Sequence, residues 1–295
     1  MPELPEVECV KRSLEPVLIG AAIGDVQLHR HDIVSITRRN GEHNAARLNG
    51  VRCRRADLLL GSTITRLVRH GKQLAIINDR GAAVCVHLGM SGQLRYVPRG
   101  RHLQPRDHVH CVWRLNGSTA GRLVFRDPRR FGRLWAIATA ADLEATHWHR
   151  LGPDALTIDS NDLAARLKRT TRAVKAALLD QAVIAGLGNI YVDECLFQVG
   201  VHPLTPCPAI EREQVERLAT VIRATLCRAV EAGGSTIRSY MDSNGEAGQY
   251  ALEHAVYGRA GQTCRECGRR LDAIVVAQRT TVVCSSCQPW RGAVA

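Results

Sequence analysis

The sequence predicts an α+β protein of two domains, in which an N-terminal helix and an antiparallel β-sandwich precede a helical region and a metal-binding hairpin. Three observations predict this class. Short β-favouring runs separated by Gly, Asp and Asn turns fill most of the first half, and helical periodicity takes over from Asp162. Four cysteines with the spacing of metal ligands stand near the end of the chain. A length of 295 residues at 45% hydrophobic content also exceeds what one small core needs.

The first half begins with a helix, predicted over residues 3–18, where apolar side chains recur at helical spacing and two prolines suit a helix start. The sandwich is predicted from six β-favouring runs: Thr63–Val68, Gln73–Ile77, Ala83–His87, Val109–Leu115, Arg122–Phe125 and Leu134–Ile137. The stretch Thr37–Arg55 is rich in Arg and Asn without a clear pattern, so we assign it no element.

The second half is predicted to be helical over Leu163–Leu167, Arg172–Leu179, Ile190–Phe197 and Ile210–Ala232, and the last helix is closed by two glycines. The polar tract Ser239–Gln249 is predicted to form a mobile loop. The expected division is residues 1–145 for the sandwich domain, 151–235 for the helical domain, and 236–295 for the loop and the metal-binding hairpin.

The charge of the chain narrows the choice of partner. A formal net charge of +12 favours a polyanion such as nucleic acid or an anionic membrane surface. Aromatic residues make up 4% of the chain, which argues against a binder of single strands and favours duplex DNA. No apolar run is long enough to span a membrane, and the N-terminus lacks the order of a signal peptide. We therefore expect a soluble, cytoplasmic protein that binds no membrane.

The cysteine motif is the strongest local signal. Cys264, Cys267, Cys284 and Cys287 are spaced as two knuckles that can bind one tetrahedral Zn²⁺, and four thiolates make that ion structural. Between them, Leu271–Val283 has two β-rich runs, which predicts a zinc-bound hairpin. Six arginines against two acids from Gly258 onward favour contact with phosphate. A hairpin that only stabilises the C-terminus is the alternative.

The N-terminus carries candidate chemistry. If Met1 is removed, Pro2 presents a secondary amine with a reference pKa of about 7.7–8.0. Attack of this amine on a sugar carbon forms a cationic iminium, which can drive elimination of attached phosphates. Glu3 and Glu6 lie three residues apart, so both carboxylates stand on one helical face near that nitrogen and can serve in proton transfer. Taken alone, the same residues are explained by helix capping.

Several motifs occur in order along the chain: Pro2–Glu8, His87–Gly92, Asp127–Gly132, Ala185–Tyr191, Val256–Arg259 and the four cysteines. Together they resemble the bacterial formamidopyrimidine-DNA glycosylase family, which excises 8-oxoguanine and ring-opened purines and then nicks the strand. The resemblance implies a helix–two-turn–helix element, a zinc-ribbon hairpin and one structural Zn²⁺. It also implies that double-stranded DNA with oxidised bases is the partner, that the protein acts as a monomer, and that it works on DNA of the nucleoid.

Residue roles follow from the same resemblance. Pro2 would attack C1′, Glu3 would act as the acid on the sugar, and Glu6 would help to set the site. Lys72 matches a phosphate-binding lysine assigned as proton donor in β-elimination, and it is one of only four lysines in the chain. Arg279 matches an arginine that grips the phosphates flanking the flipped nucleotide and is assigned to δ-elimination.

Further positions match contacts to DNA. Lys175 and Asn189 match phosphate contacts of the helix–two-turn–helix element, where the Gly186–Gly188 turn is expected to expose backbone N–H groups. Tyr257 and Arg106 are also expected to contact DNA.

Three residues match a separate task, since an enzyme that removes a base must fill the gap that the base leaves. Met90 and Phe131 would fill and wedge the stack, and Arg129 would hydrogen-bond the orphaned cytosine. By composition alone, Met90 and Phe131 would instead be core residues.

The chain departs from the family pattern at several points. Arg106 stands where a histidine that contacts DNA is common, Gln73 where an aromatic is common, and Val282-Val283 where Phe or Tyr is frequent. The stretch Thr37–Arg55 is longer than usual and the tail Pro289–Ala295 extends past the zinc site, and we assign neither a function. The loop Ser239–Gln249, which the resemblance implies would cover the flipped base, also varies from the family pattern. Two alternatives stay open: an endonuclease VIII-like glycosylase for oxidised pyrimidines, and a catalytically inactive zinc-finger DNA-binding paralogue.

Overall fold

A computed structural model describes residues 2–37, 43–45, 53–101, 108–117, 120–235 and 248–290. The expected DNA contact Arg106, most of the polar tract Ser239–Gln249, much of the Thr37–Arg55 stretch and the end of the tail lie outside the described residues. The chain divides into two compact units, Met1–Arg150 with Gly233–Gly248 and Leu151–Ala232 with Gln249–Ala295. The predicted three-part division at 145 and 235 stays a prediction.

Unit 1, over its described residues, contains the N-terminal helix α1 (Leu4–Leu18) and ten strands. The strands are β1 (Ala22–Leu28), β2 (Val34–Thr37), β3 (His43–Ala45), β4 (Ile64–His70), β5 (Gln73–Asn78), β6 (Ala83–His87), β7 (Gln93–Pro98), β8 (Val109–Asn116), β9 (Gly121–Arg126) and β10 (Arg133–Ile137). A short helix α2 (Ala140–Asp142) continues directly into a π-helical turn, Leu143–Trp148. The helix and the six strands predicted from the sequence are therefore confirmed to within a few residues.

The strands form two sheets. One has the order β1-β8-β9-β7 and the other the order β3-β2-β10-β6-β5-β4. The predicted antiparallel sandwich is confirmed, with one exception: β2 and β10 pair in parallel. Parallel neighbours need a long connection, and here the intervening chain includes three of the four strands of the other sheet, β7, β8 and β9.

Strands β1, β2, β3 and β7 were not predicted. The Gly24 bulge in β1 breaks the alternation of apolar residues, and the register between β1 and β8 shifts between Ile23 and Asp25. Strand β7 does alternate, with Leu94 buried and Arg95 less so, but six residues ending in Pro98 are a weak signal.

The core of unit 1 explains why α1 folds where it does. Val7, Val10 and Leu14 recur at helical spacing and pack in one cluster with side chains of the strands. Trp113 of β8 and Phe125 of β9 are almost fully buried in the same cluster. The first turn of α1, which carries the candidate catalytic residues, is thus attached to a rigid support.

Unit 2, over its described residues, contains four helices: α3 (Ser160–Leu167), α4 (Val174–Leu179), α5 (Asn189–Val199) and α6 (Arg212–Glu231). They match the four predicted helices, and α5 is buried along almost its entire length. In the part of the chain that the structure describes, no helix is both long and apolar enough to cross a membrane.

The predicted hairpin is formed by β11 (Asp272–Val276) and β12 (Arg279–Val283), which pair antiparallel. Ala277 and Gln278 form the two-residue turn, both with positive φ angles of 48° and 59°. Such a turn matches the twist of the strands, although glycine or asparagine is usual there. Arg279 therefore lies directly after the tip of the hairpin.

Candidate functional sites in the two units

The first turn of α1 is organised by Glu6. The buried Glu6 carboxylate accepts the Glu3 N–H at Oε2 (2.7 Å) and the Ser235 N–H at Oε1 (2.8 Å). Pro2 and Glu3 are buried beside it at the start of the helix. Because each Glu6 oxygen accepts a backbone N–H, this carboxylate joins the first turn of α1 to the 233–235 segment.

Gly234 shows how closely that segment approaches α1. Its φ of +85° is one that side-chain-bearing residues rarely adopt, and a Cβ there would lie 2.9 Å from Glu6 Oε1. Any larger residue at this position would displace the Glu6 carboxylate. Gly233 and Gly234 were predicted to close the last helix, and Gly234 also leaves room for the Glu6 carboxylate at the first turn of α1.

Lys72 stands in the two-residue turn between β4 and β5, where Gly71 has a φ of +54°. Arg69 fixes this turn, because its Nε donates to Glu8 Oε2 (2.8 Å) and its Nη1 to the Gly71 carbonyl (3.1 Å). Glu8 lies on α1, so one guanidinium joins the helix that carries Pro2 to the turn that carries Lys72. The Arg69 and Glu8 side chains are 8% and 11% exposed, which shields the pair from solvent.

The side-chain charges around this region are mostly positive, so they favour an anion over a further cation. Burial alone would raise the pKa of Glu8, but Arg69, Lys11 and Arg12 together hold it below its usual range. Burial together with the Lys72 and Arg133 charges lowers the pKa of His87 to about 4. His87 is therefore neutral at pH 7, and its Nδ1 accepts the Gly89 N–H at 3.3 Å.

Two loops carry the expected wedge residues, and Asp127 joins them. Its fully buried carboxylate accepts the Gly132 N–H (2.6 Å) and the Arg129 N–H (3.2 Å), and it also accepts the Ser91 hydroxyl. Gly89 packs so tightly that a Cβ would lie 2.6 Å from the Phe131 carbonyl carbon. The loops 88–92 and 127–132 thus form one fixed structure, which we call the wedge loops.

The wedge loops present their side chains outward. Phe131 is 51% exposed, Arg129 is exposed, and Met90 is half-buried. The Arg129 guanidinium lies over the Phe131 ring, 5.1 Å from its centre. An exposed aromatic on a rigid loop is not a core residue, so the composition-based alternative for Phe131 is wrong.

Unit 2 places Lys175 differently from the expectation. Its fully buried ammonium donates to Asp193 Oδ1 (2.5 Å) and to Thr281 Oγ1 (2.6 Å). Burial raises the pKa of Asp193 to about 6, against the lowering effect of Lys175. A phosphate cannot reach this ammonium without opening the pair. This geometry therefore disfavours the expected direct contact between Lys175 and a DNA phosphate.

Asp193 and its neighbour Glu194 on α5 together hold the region of the hairpin. Asp193 Oδ2 accepts the Val282 N–H of β12 at 3.3 Å. The buried Glu194 carboxylate accepts three successive backbone N–H groups, those of Ala255 (2.8 Å), Val256 (3.0 Å) and Tyr257 (2.8 Å). Carboxylates that accept several backbone donors fix the chain strongly. Tyr257 is thus held at its backbone, with a half-buried ring edge-on to His254.

Asn189 and Arg279 are the remaining expected DNA contacts of unit 2. The half-buried Asn189 donates from Nδ2 to the Thr280 carbonyl at 2.9 Å. Arg279 is exposed and available to a ligand. The Gly186 N–H, expected to be open to an anion, instead donates to Gln181 Oε1 at 2.9 Å. That donor is used by the protein itself.

The four cysteines form a site for one structural zinc ion. Their sulfur atoms all lie within 4.8 Å of one another. Cys267 Sγ and Cys284 Sγ are 3.4 Å apart, and Cys264 Sγ and Cys287 Sγ are 3.9 Å apart. A tetrahedral ion with Zn–S bonds of about 2.3 Å separates its sulfurs by roughly 3.8 Å, so the arrangement fits zinc.

Sequence reasoning missed the residues that hold the site. Glu8 and Arg69 are 61 positions apart, and no local pattern joins them. Asp127 precedes a proline and begins a motif already noted, which is a signal for a turn. Asp193 and Glu194 are two acids inside an otherwise apolar helical run, which is the clearest signal of the three.

Comparison with protein families gives three matches that together cover most of the chain. The formamidopyrimidine-DNA glycosylase N-terminal domain matches residues 1–134, and the formamidopyrimidine-DNA glycosylase H2TH domain matches residues 151–241. A zinc finger found in FPG and IleRS matches residues 261–289, which include all four cysteines.

Curated relatives match over almost the whole length. The formamidopyrimidine-DNA glycosylase of Xanthomonas axonopodis pv. citri is 42% identical, covering 98% of this chain and 100% of the relative. That of Geobacillus kaustophilus is 38% identical with the same coverage.

Solved structures match as well. The MutM (FPG) protein of Thermus thermophilus superposes with a TM-score of 0.81 at 36% identity, covering 97% of this chain and 98% of that one. The Lactococcus lactis Fpg in complex with DNA containing an abasic site gives a TM-score of 0.83 at 31% identity, covering 98% and 100%.

Proposed function

The chain belongs to the formamidopyrimidine-DNA glycosylase family, and from this premise we propose that it excises 8-oxoguanine and formamidopyrimidines from duplex DNA and then cleaves the strand at the abasic site. Solved relatives were captured with DNA that contains an N7-benzyl-Fapy-dG lesion or an abasic site, which supports this choice of substrate. We further propose that the protein acts as a monomer on nucleoid DNA in the cytoplasm.

One observation carries the proposed chemistry: Pro2 lies at the buried start of α1, beside Glu3 and a first turn held by Glu6. After removal of Met1, the Pro2 nitrogen attacks C1′, and the bond from C1′ to the base breaks with its electron pair leaving on the base. The departing base takes up the proton that the Pro2 nitrogen gives up. Glu3 gives a proton to the sugar ring oxygen as the ring opens, and a cationic iminium results. Glu6 acts as a positioning residue.

Strand cleavage follows from the iminium, which makes the C2′ hydrogen acidic. Loss of that proton breaks the C3′–O3′ bond, and the 3′ phosphate leaves in β-elimination. Loss of the C4′ hydrogen then breaks the C5′–O5′ bond, and the 5′ phosphate leaves in the second elimination. Water releases the enzyme by hydrolysing the iminium. We propose that Lys72 binds the phosphate beside the lesion and transfers a proton in the first elimination. We propose that Arg279 binds the phosphates that flank the flipped nucleotide and assists the second elimination.

The grip on DNA is divided among several parts of the chain. We propose that Met90 and Phe131 fill and wedge the stack and that Arg129 hydrogen-bonds the orphaned cytosine. The exposed Phe131 and Arg129 and the half-buried Met90, all on the fixed wedge loops, support these roles. We propose Asn189, Tyr257 and Arg106 as further DNA contacts. Lys175 is assigned a positioning role, holding β12 through Thr281.

Borohydride trapping tests the central claim. Sodium borohydride added during turnover on an 8-oxoguanine duplex reduces the iminium, and peptide mapping should find the DNA adduct on Pro2. Pro2→Gly should keep lesion binding and lose most nicking, and Glu3→Gln should bind but excise poorly. Lys72 is the rival nucleophile, because its amine can also form a Schiff base. An adduct on Lys72, or full nicking by Pro2→Gly, would overturn the assignment.

A second assay separates the open alternatives. Duplexes with 8-oxoguanine, a formamidopyrimidine or an oxidised pyrimidine are compared under single-turnover conditions. Faster release of the oxidised pyrimidine would favour an endonuclease VIII-like activity, and binding without nicking of any lesion would indicate an inactive paralogue.

A further inference from the structure

We propose that the π-helical turn Leu143–Trp148 is a positioning device for Lys72, acting through Gln73. The inference rests on the proposed role of Lys72 in strand cleavage. Gln73 directly follows Lys72, and it is one of the positions where this chain departs from the family pattern. In the structure, the Gln73 side chain has hydrogen-bond partners in the π-helical turn.

Gln73 is held by side chains of the π-helical turn. Its amide oxygen lies 2.9 Å from the Trp148 indole nitrogen and 2.9 Å from His147 Nε2. The Cys85 thiol donates to the same oxygen at 3.2 Å. An indole N–H can only donate, so it fixes which end of the amide faces Trp148. His147 then donates from Nε2 as well.

The two residues that close the Lys72 turn both contact Trp148. His70 pairs with Gln73 across β4 and β5, which leaves Gly71 and Lys72 as the turn. The His70 ring stacks on Trp148 at 5.4 Å with an interplanar angle of 28°. Trp148 therefore supports one closing residue by a hydrogen bond and the other by ring contact.

The π-helical turn is itself rigid. Trp148 is 6% exposed and His147 is 9% exposed, and the Trp135 ring packs on His147 at 4.8 Å. Thr146 Oγ1 donates to the Asp142 carbonyl at 2.6 Å, and the Thr139 side chain caps α2. A π-turn carries one more residue per turn than an α-helix, so it rotates the side chains that follow it; such turns are frequent at functional sites.

Two supports thus hold the residues on either side of Lys72 in the sequence. Arg69 holds the Gly71 carbonyl from the side of α1, and Trp148 holds Gln73 and His70 from the side of the π-helical turn. A displacement of about 1 Å at a reacting group can cost up to a hundredfold in rate. Loss of one support should therefore slow the step that uses Lys72 more than it weakens DNA binding.

The test is Trp148→Phe, which keeps an aromatic ring and removes the indole N–H. Trp113→Phe is the matched control, because Trp113 also donates its N–H, to the Leu58 carbonyl at 3.0 Å, but lies in the other sheet of the same unit. Nicking of a duplex with a preformed abasic site is measured in single turnover. We expect Trp148→Phe to be about five- to tenfold slower at unchanged affinity, and Trp113→Phe to react at the wild-type rate.

A double-mutant cycle with Gln73→Leu separates positioning from general destabilisation. Gln73→Leu should slow nicking to a similar extent, and adding Trp148→Phe should then change the rate little. Equal slowing by Trp113→Phe and Trp148→Phe, or independent effects of Trp148→Phe and Gln73→Leu, would overturn the inference. Lys72→Ala reports on the premise: wild-type nicking by Lys72→Ala would remove the proposed role of Lys72 itself, whereas slow Lys72→Ala with fast Trp148→Phe would remove only the positioning.

Discussion

The variant Lys175→Met tests whether Lys175 contacts a DNA phosphate or stabilises the folded protein. Methionine keeps much of the length and the apolar stem of lysine and removes the charge. In the structure the charge is fully buried against Asp193 and Thr281, so the substitution leaves the Asp193 carboxylate buried without its cation. Removal of one partner from a buried ion pair costs about 3–5 kcal/mol.

The protonation of Asp193 sets an upper limit to that cost. A carboxyl group that cannot stay ionised takes up a proton, and from an unfolded pKa of about 3.9 this costs about 4 kcal/mol at pH 7. The limit falls to about 2 kcal/mol at pH 5.5. Burial already raises the folded pKa of Asp193 to about 6, so about 3 kcal/mol of that cost is present in the wild type. The variant should therefore lose about 1–2 kcal/mol at pH 7 and less as the pH falls.

Urea unfolding and hydrogen exchange measure the effect on stability. Exchange should be faster at the Val282 amide, which donates to Asp193 in the wild type. Lys168→Met is the control, since Lys168 is an exposed lysine of the same unit and its loss should change stability by less than about 0.5 kcal/mol. The salt dependence of duplex binding should keep its slope in Lys175→Met, whereas Arg279→Ala should lower the slope by about 0.9.

The opposite pattern would refute the burial argument. Wild-type stability of Lys175→Met combined with a salt slope lowered by about one phosphate would place the ammonium on DNA, as the resemblance first implied. A loss of stability that does not shrink between pH 7 and pH 5.5 would show that Asp193 is not the group left unpaired.

Substitutions in the zinc site, in the wedge loops and at His87 give three further predictions. Cys264→Ser should lose zinc, measured by metal analysis, and with it DNA nicking, because the hairpin no longer positions Arg279; zinc loss with wild-type nicking would contradict this. Asp127→Asn should cost about 1.5–3 kcal/mol and reduce the preference for cytosine opposite the lesion, measured as a ratio of nicking rates; an unchanged ratio would separate Asp127 from the wedge. In the unfolded chain His87 binds a proton below about pH 6.5, whereas in the folded protein it binds one only below about pH 4. The free energy of unfolding should therefore fall by about 1–2 kcal/mol from pH 7 to pH 5, and His87→Gln should remove this fall.

The fold was predictable because most of its elements are local patterns. The apolar spacing of α1, the β-favouring runs and the cysteine spacing each specify their element without help from distant residues. The unpredicted strands show the limit. Strand β2 is only four residues long, and it pairs in parallel with β10, about a hundred positions away. Such pairing depends on the tertiary structure and leaves little trace in the sequence of either strand.

The candidate site was predictable in its reacting groups and not in its supports. Pro2, Lys72 and Arg279 were found through motifs, and their roles stay proposals. The residues that fix them in place are joined by contacts across 61 positions for Glu8 and Arg69, and 75 for Gln73 and Trp148. The fate of Lys175 illustrates the same limit. A motif identifies a lysine, but burial of its ammonium depends on which acid the fold places beside it.

The Glu8–Arg69 pair restricts how this sequence can drift. Loss of Glu8 alone would leave the nearly buried guanidinium without its carboxylate, and loss of Arg69 alone would leave both Glu8 and the Gly71 carbonyl short of a donor. Each single change is therefore worse than the double change, and the two positions are expected to be exchanged together or kept together. Because the second bond of Arg69 reaches the turn of Lys72, a relative that lacks this arginine must support that turn by another donor.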